Sequence, residues 1–196
     1  MSQDWTWNQK STFVTLWASS HAQWDRQEED YYATDPIAAE LLLQHHEVKW
    51  PIREPSCWEW HLARVFENKF EVKATDLIDR QHWVGGVDFM KQSEPWHWSI
   101  ITNPPYSIAK DYIEKAISLV EVGAEIIMFL KIQFLEWKAR KKFFAKHPPK
   151  VIYVSASRIK CAKNGNFADT WSSAVAYGRY VREKWYKWDT TLKWIN

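Results

Sequence analysis

Four consecutive residues, Asn103-Pro104-Pro105-Tyr106, carry the clearest chemical signal in this sequence. They follow an apolar strand pattern and precede an amphipathic helix pattern. The side-chain carbonyl of Asn103 can accept a hydrogen bond, and Pro104 can present its backbone carbonyl without a competing N–H. Two such acceptors draw protons from a planar amine, which otherwise attacks a methyl donor poorly, and Tyr106 offers a ring on which a flipped-out base can stack. The residues predict a site that methylates a planar amine; a Pro-Pro turn that merely ends a strand is the alternative.

Strand and helix patterns alternate along most of the chain. The strand patterns are Pro51 to Glu54, Phe70 to Thr75, Ser99 to Thr102, Glu125 to Leu130, Val151 to Val154 and Ala174 to Val181. The helix patterns run from Asp35-Pro36 to about His45-His46, around Leu62 to Phe66, from Ile108 to Val120 and from Leu135 to Lys146. Asp35 suits an N-cap, and Pro36 suits a first helical position. The alternation predicts an α/β fold with a mostly parallel sheet and helices on both faces.

Length and composition limit the organisation of the chain. Its 196 residues are 46% hydrophobic, which suffices for one core and leaves no room for a second large domain. We expect a flexible arm over residues 1 to 30 and a single domain over 31 to 196. Cys57 and Cys161 match neither a disulfide framework nor a zinc spacing, so we expect reduced thiols and a cytoplasmic protein. No membrane segment, secretory leader or metal site is predicted from the sequence.

The positive and negative charges of the chain nearly balance, but one stretch of the sequence is basic. The formal net charge is only +2, which gives no global polybasic signature. Lysine and arginine nevertheless crowd the region from Lys138 to Lys150, and more follow between Arg158 and Lys163. This region is either a basic rim that contacts nucleic acid or a solvated helix face.

Tryptophan is unusually frequent and glycine unusually rare. The chain has 15 Trp and 5 Gly, whereas glycine averages about 7% of an ordinary protein. Many of the tryptophans lie at turn positions and do not recur with the periodicity of a helix or a strand. Turns are where glycine is needed. We hypothesise that such positions, with Trp58 and Trp60 as examples, are natively glycine, either altered deliberately or translated from a codon that some genetic codes read as glycine. The alternative is a Trp-rich surface that stacks on nucleic acid.

Four segments, in their order and spacing, resemble those of small stand-alone adenine-N6 DNA methyltransferases of the S-adenosylmethionine-dependent class I family, of the kind often found in bacteriophages. They are Asp30 to Pro36, Glu54 to Cys57, Asp76, and Asn103 to Tyr106. The resemblance extends from Tyr31 to about Asn196. It implies a Rossmann-like class I methyltransferase fold, with a seven-stranded, mostly parallel sheet whose last strand is antiparallel. Either Ala174 to Val181 or the tail near Leu192 to Ile195 should supply the closing hairpin.

The resemblance also implies a binding site for the donor, S-adenosylmethionine, at the carboxyl ends of the strands. The implied residues are Tyr32, Thr34, Pro36, Glu54, Pro55, Ser56, Cys57, Asp76, Leu77, Asp88 and Phe89. Asp76 is placed to accept hydrogen bonds from the ribose hydroxyls, with a helix cap as the alternative. Phe89 is expected beside the donor's adenine, although it also fits a core position. The family's loop reads Cys-Gly-x-Gly where this chain has Cys57 to Trp60, so indoles should obstruct the donor.

The expected partner is DNA, bound by a protein that we expect to be a monomer. Around the target entrance, the implied nucleic-acid contacts are Lys131, Phe134, Arg158 and Lys160. Asn103 and Pro104 would polarise the adenine amine, and Tyr106 would stack on the base. Two kinds of alternative remain open. One is methylation of an RNA adenine or a protein glutamine amide, and the other is a non-catalytic nucleic-acid-binding module whose donor pocket is plugged by tryptophan.

Overall fold

The computed structural model describes residues 33–49, 51–58, 60–81, 83–157, 159, 161–162 and 175–196. Three predicted site residues, Tyr32, Arg158 and Lys160, and the arm predicted over residues 1 to 30 lie outside this part of the chain. Their assignments stay predictions.

Strands and helices alternate as the sequence pattern predicts. The strands are β1 (Ala33–Thr34), β2 (Ile52–Glu54), β3 (Val72–Ala74), β4 (Ser99–Thr102), β5 (Glu125–Lys131), β6 (Val151–Ser155), β7 (Cys161–Ala162), β8 (Tyr177–Glu183) and β9 (Thr191–Ile195). The helices are α1 (Ile37–His45), α2 (His61–Glu67), α3 (Ala109–Leu119) and α4 (Lys138–Lys146), with short 3-10 helices at Phe89–Lys91, Tyr106–Ile108 and Ile132–Leu135. The helix predicted from Leu135 starts three residues later, because Trp137 at φ 90° interrupts it.

Seven strands form one sheet in the order β3-β2-β4-β5-β8-β6-β9. β8 is antiparallel to both of its neighbours, β5 and β6, and the other pairs are parallel. The predicted seven-stranded, mostly parallel sheet is thereby confirmed, and β8 is the antiparallel strand predicted near Ala174 to Val181. The tail strand β9 follows β8 in the chain but pairs in parallel with β6. The segment between β8 and β9 passes the start of β6. There β9 begins, and the Thr191 N–H donates to the carbonyl of Lys150, the residue before β6 (3.1 Å).

Apolar side chains fill both faces of the sheet. One cluster joins α1 and α2 to one face and includes Leu42, Phe66 and Ile127. A second cluster joins α3 and α4 to the other face and includes Ile113 and Phe143. β5 is buried at six consecutive positions, as expected of a central strand covered on both sides. The prediction of helices on both faces is confirmed. None of the described helices is both long and apolar enough to cross a membrane.

Two buried arginines of β8 tie the helical layers to the sheet. Arg179 Nε donates to the Ala38 carbonyl of α1 (3.0 Å), and Arg182 Nε donates to the His147 carbonyl at the end of α4 (3.4 Å). Each is 1% exposed, and burial lowers the pKa of Arg179 to about 10 and that of Arg182 to about 9. Both guanidinium groups lie over aromatic rings, including Phe129 for Arg179 and Phe143 for Arg182, which offsets part of their desolvation.

Several tryptophans occupy left-handed backbone. Among the described residues, the non-glycine positions with positive φ are Trp58 (50°), Trp60 (59°), Gln81 (61°), Trp137 (90°), Trp185 (72°) and Asn196 (63°). A bulky side chain in this region costs about 1–2 kcal/mol, whereas glycine adopts it readily. The backbone therefore supports the hypothesis that glycine is the native residue at some tryptophan positions. Trp96 is different, because it is buried and packs against Phe89.

We expect Trp185→Gly to stabilise the fold by about 1 kcal/mol, because it removes left-handed strain. Trp188→Gly is the matched control: Trp188 is 72% exposed against 67% for Trp185, and its φ is not positive. The control should lose about 0.5–1 kcal/mol through the greater backbone freedom of glycine. Urea unfolding of both variants measures the difference. Equal losses in the two variants would contradict the strain argument.

Candidate functional site

The ends of four parallel strands bring the predicted site residues to one edge of the sheet. Glu54 ends β2, Asp76 follows β3, Asn103 follows β4, and Lys131 ends β5. One cavity is lined by Thr34, Glu54, Ser56, Cys57, Trp58, His61, Leu62 and Asn103. The structure thus places the motif at Asn103 beside the loop after β2, although about 45 residues separate them in the chain. Thr34, which belongs to a third predicted segment, completes this cavity.

A hydrogen bond to Thr34 orients the amide of Asn103. Asn103 Nδ2 donates to Thr34 Oγ1 at 2.8 Å, and both residues are buried. Because the amide nitrogen is turned toward Thr34, the carbonyl oxygen is directed away from it. Pro104 is buried behind Asn103, and Tyr106 begins a 3-10 helix and stays half-buried. The sequence predicted Thr34 as a donor contact; its role in orienting Asn103 was missed.

The loop after β2 is held by a backbone hydrogen bond of its own and by the carboxylate of Asp76. Asp76 Oδ2 accepts the N–H of Trp58 and Oδ1 accepts the N–H of Ile78, both at 2.9 Å. Asp76 therefore holds two backbone turns here, and since no helix begins in the described residues directly after it, it is not the helix cap that the sequence left open as its alternative. The Trp60 N–H donates to the Cys57 carbonyl at 2.7 Å, which completes a tight turn with φ positive at Trp58 and Trp60. The cavity beside this loop measures only about 10 Å³.

Glu54 is an unusual buried carboxyl group at the base of this cavity. It is 2% exposed and accepts a hydrogen bond from the Ala63 N–H in α2. Within the described residues, its Oε2 has no hydrogen-bond partner. Burial, followed by repulsion from Asp76, holds the pKa of Glu54 well above its ordinary value. Burial and the same two carboxyl groups raise the pKa of the Cys57 thiol, which is consistent with the reduced cysteine predicted there.

We expect Glu54→Gln to stabilise the protein at pH 8 but not at pH 4. Below the ordinary carboxyl pKa, Glu54 is protonated in the folded and unfolded states alike, so ionisation costs no stability. As pH rises toward the raised folded pKa, only the unfolded chain ionises, and stability falls by about 1.4 kcal/mol per pH unit. Urea unfolding at both pH values tests this, with the exposed Glu67→Gln as control. An equal change at both pH values in Glu54→Gln would contradict it.

Of the remaining residues implied for the donor, Ser56 lines the cavity beside the loop after β2, and the others that the structure describes lie outside its lining. Ser56 Oγ lies 2.6 Å from the Tyr112 hydroxyl inside the protein, and Leu77 is 62% exposed. Pro36 immediately precedes α1, and Pro55 lies buried in the turn after β2. Asp88 caps the 3-10 helix at Phe89–Lys91 by accepting the Met90 N–H (2.9 Å). Phe89 is 4% exposed and packs on Tyr112 with ring centroids 4.2 Å apart, so it occupies the core position that the sequence left open.

A second, wider cavity of about 290 Å³ is lined in part by Tyr106. Its walls include the predicted contacts Lys131 and Phe134, together with Arg140 of the basic stretch and Trp137, which sequence reasoning missed. Lys131 Nζ lies 4.8 Å from the centroid of the Tyr106 ring, and the Arg140 guanidinium lies 4.3 Å from that of Phe134. The basic stretch that starts at Lys138 was the available signal for Arg140. The cavity thus combines aromatic faces with cations.

In the part of the chain that the structure describes, no three His, Cys, Asp or Glu side chains are placed to hold one metal ion.

Comparison with solved structures identifies the architecture. A protein assigned as a class I S-adenosylmethionine-dependent methyltransferase from Listeria monocytogenes covers 93% of this chain and 70% of its own, with 14% identity and a TM-score of 0.55. A predicted O-methyltransferase from Agrobacterium tumefaciens covers 82% of this chain and 85% of its own, with 12% identity and a TM-score of 0.56. A protein assigned as an RNA methyltransferase from Pyrococcus horikoshii covers 80% of this chain and 87% of its own, with 12% identity and a TM-score of 0.57. This is the class I methyltransferase fold. No protein-family model and no curated protein sequence matches the chain.

The class I fold implies a sulfonium methyl donor, and the present residues match that donor only in part. Glu54 and Asp76 place carboxyl groups at the ends of β2 and β3, where cationic and hydroxyl groups of the donor would need acceptors. The cavity beside Glu54 does not match, because about 10 Å³ is far below the roughly 300–1,000 Å³ of small-molecule sites. Trp58 and Trp60 stand in the loop beside that space. With these two side chains in place, we expect the donor to bind weakly.

Proposed function

We propose that this fold serves to transfer a methyl group from S-adenosylmethionine to the N6 amine of adenine in DNA. The proposal rests chiefly on one observation: Thr34 orients the buried Asn103 amide in the lining of the cavity that also includes Glu54 and residues of the loop after β2. We further propose that the donor enters when residues 58 and 60 are glycine. The donor supplies an electrophilic methyl group, and the remaining chemistry belongs to the chain.

Asn103 and Pro104 act on the amine. Its nitrogen lone pair is delocalised into the base, so it becomes nucleophilic only as its protons are drawn toward acceptors. The Asn103 side-chain carbonyl and the Pro104 backbone carbonyl are such acceptors, and Pro104 has no N–H to compete. Positive charge that develops on the amine is stabilised by these two fixed dipoles. Thr34 is a positioning residue, because it keeps the Asn103 amide from rotating.

Tyr106 and the 290 Å³ cavity are proposed to receive the base. Adenine must leave the duplex, which costs a few kcal/mol, and stacking on an aromatic face returns part of that cost. Tyr106 and Phe134 supply ring faces on this cavity, and Lys131 and Arg140 supply positive charge. Such walls suit a planar base attached to a phosphate chain.

A methyl-transfer assay with labelled donor tests the substrate. It compares unmethylated DNA, transfer RNA, ribosomal RNA and a release factor, using the parent chain and the Trp58→Gly, Trp60→Gly variant. We expect label in adenine of DNA with the variant, and mapping of the modified sites would then give the recognition sequence. Label only in RNA or in a glutamine amide would reassign the substrate. If the variant binds DNA without any donor-dependent thermal shift, the chain is a binding module and not an enzyme.

A further inference from the structure

The strongest unassigned feature is a positively charged surface on α4, next to the cavity at Tyr106. We define the α4 surface as Lys138, Arg140, Lys141 and Lys142. Three of its members, Lys138, Lys141 and Lys142, are exposed and share one helix face at i, i+3 and i+4 spacing. Phe143 is directed inward and is 3% exposed, which fixes the opposite face in the core. The cations are therefore held on a packed helix.

The positive charge of this surface is not neutralised within the described part of the chain. No salt bridge there involves Lys138, Arg140, Lys141 or Lys142. Glu136 is the only acidic residue between positions 132 and 150, against six lysines and arginines. Like charges this close repel one another, and they lie where the helix dipole is also positive. A purely solvated helix face normally mixes both signs, so this one-sided charge indicates a polyanionic partner.

Arg140 connects the α4 surface to the cavity. Its guanidinium lies 4.3 Å from the Phe134 ring centroid and 5.3 Å from that of Trp137, and Nη1 donates to the Gln133 carbonyl at 3.2 Å. This is the one hydrogen bond that the Arg140 guanidinium makes among the described residues, although a guanidinium has five donors. The side chain is thus held at the cavity rim with donors left for a ligand.

We infer that the α4 surface binds the phosphates next to the extruded base in duplex DNA. This inference rests on the proposed function. A base that enters the cavity at Tyr106 stays attached to its strand, so the flanking phosphates must lie within about one nucleotide of the cavity mouth. The α4 surface begins at that mouth, since Arg140 and Trp137 line the cavity. Lysines on one helix face offer point charges to the backbone without reading the sequence.

Binding of a fluorescein-labelled DNA duplex, followed by anisotropy between about 50 and 200 mM salt, tests the inference. The variant carries Lys138→Gln, Lys141→Gln and Lys142→Gln. We expect its Kd to rise at least tenfold at the lowest salt, and its slope of log affinity against log salt to fall by about 2 to 3, since each phosphate contact contributes about 0.9. The triple arginine variant at the same positions should keep the parental slope. Circular dichroism and thermal unfolding check that each variant folds.

A second triple variant, Lys49→Gln, Lys69→Gln and Lys187→Gln, is the matched control. These lysines are exposed at the opposite edge of the sheet, and their loss should leave Kd within twofold. If the α4 variant keeps the parental slope while the Trp58→Gly, Trp60→Gly variant binds and methylates DNA, the α4 surface is excluded and the proposed function stands. If that double glycine variant retains no DNA and methylates none, the proposed function fails, and the surface assignment with it. Tighter binding of an RNA duplex of the same sequence would overturn the assignment to DNA.

Discussion

Replacing Trp58 and Trp60 together with glycine is expected to raise the affinity for S-adenosylmethionine at least tenfold. Both residues have positive φ, at 50° and 59°, and the cavity beside them holds about 10 Å³. Each indole carries about 150–250 Å² of surface that must be displaced before a donor can lie against the loop. Overpacking alone typically costs about 1–3 kcal/mol, and tenfold in affinity corresponds to about 1.4 kcal/mol. Glycine removes the side chains and adopts the same backbone without strain.

Isothermal titration calorimetry of the parent and the double glycine variant measures this effect. The matched control is Trp188→Gly with Trp194→Gly, because both residues are 72% exposed and neither has positive φ. The control should leave donor affinity unchanged. If the parent and the Trp58→Gly, Trp60→Gly variant bind S-adenosylmethionine with equal affinity, the result counts against the hypothesis that glycine is native at these two positions of the loop after β2.

The origin of the tryptophans is a separate question with its own test. Sequencing of the source nucleic acid at the codons for Trp58 and Trp60, or weighing of a tryptic peptide from natively expressed protein, distinguishes the possibilities. Ordinary tryptophan codons would end the mistranslation hypothesis. They would leave the expected gain in affinity intact, since that gain depends only on backbone geometry and on the space beside the loop.

Local patterns predicted the central strands and the edge where the site lies. β4 and β5 are apolar runs bounded by polar residues or turns, so their type and bounds follow from burial on both faces. Because parallel strands share one carboxyl edge, Glu54, Asp76 and Asn103 could be grouped from the sequence alone. The left-handed backbone at Trp58 and Trp60 agrees with the glycines expected in that loop.

The sequence could not predict which side chains of the sheet contact the helices that cover it. The pattern Tyr177 to Glu183 contains two arginines, which normally indicate an exposed face, yet β8 is buried between β5 and β6. Its arginines find carbonyl partners on α1 and after α4, far away in the chain. Likewise, the Thr34 to Asn103 hydrogen bond spans 69 residues. Such pairings depend on how helices lie over the sheet, and no local period encodes that placement.

The role of Asn103 leads to the second large effect. Asn103→Ala is expected to lower turnover by about 10²–10³, the range found when one preorganised hydrogen-bonding group is removed from a transition state. Donor affinity should change less than twofold, because Asn103 acts on the amine rather than on the donor. Single-turnover methyl transfer and calorimetry, both in the Trp58→Gly, Trp60→Gly background, separate the two quantities. A parallel loss of donor affinity and turnover would show that Asn103 supports the pocket instead.

Thr34 provides the control that distinguishes orientation from mere packing. Thr34→Val keeps the shape of the side chain but removes the acceptor that holds Asn103 Nδ2 at 2.8 Å. The Asn103 amide can then rotate and present its N–H groups to the amine, so turnover should fall by an intermediate factor while donor affinity stays. Thr34→Ser retains the hydroxyl and should restore most of the turnover. Since serine lacks only a methyl group and valine lacks only the acceptor, opposite outcomes in the two variants would mean that burial at Thr34, and not its hydrogen bond, supports Asn103.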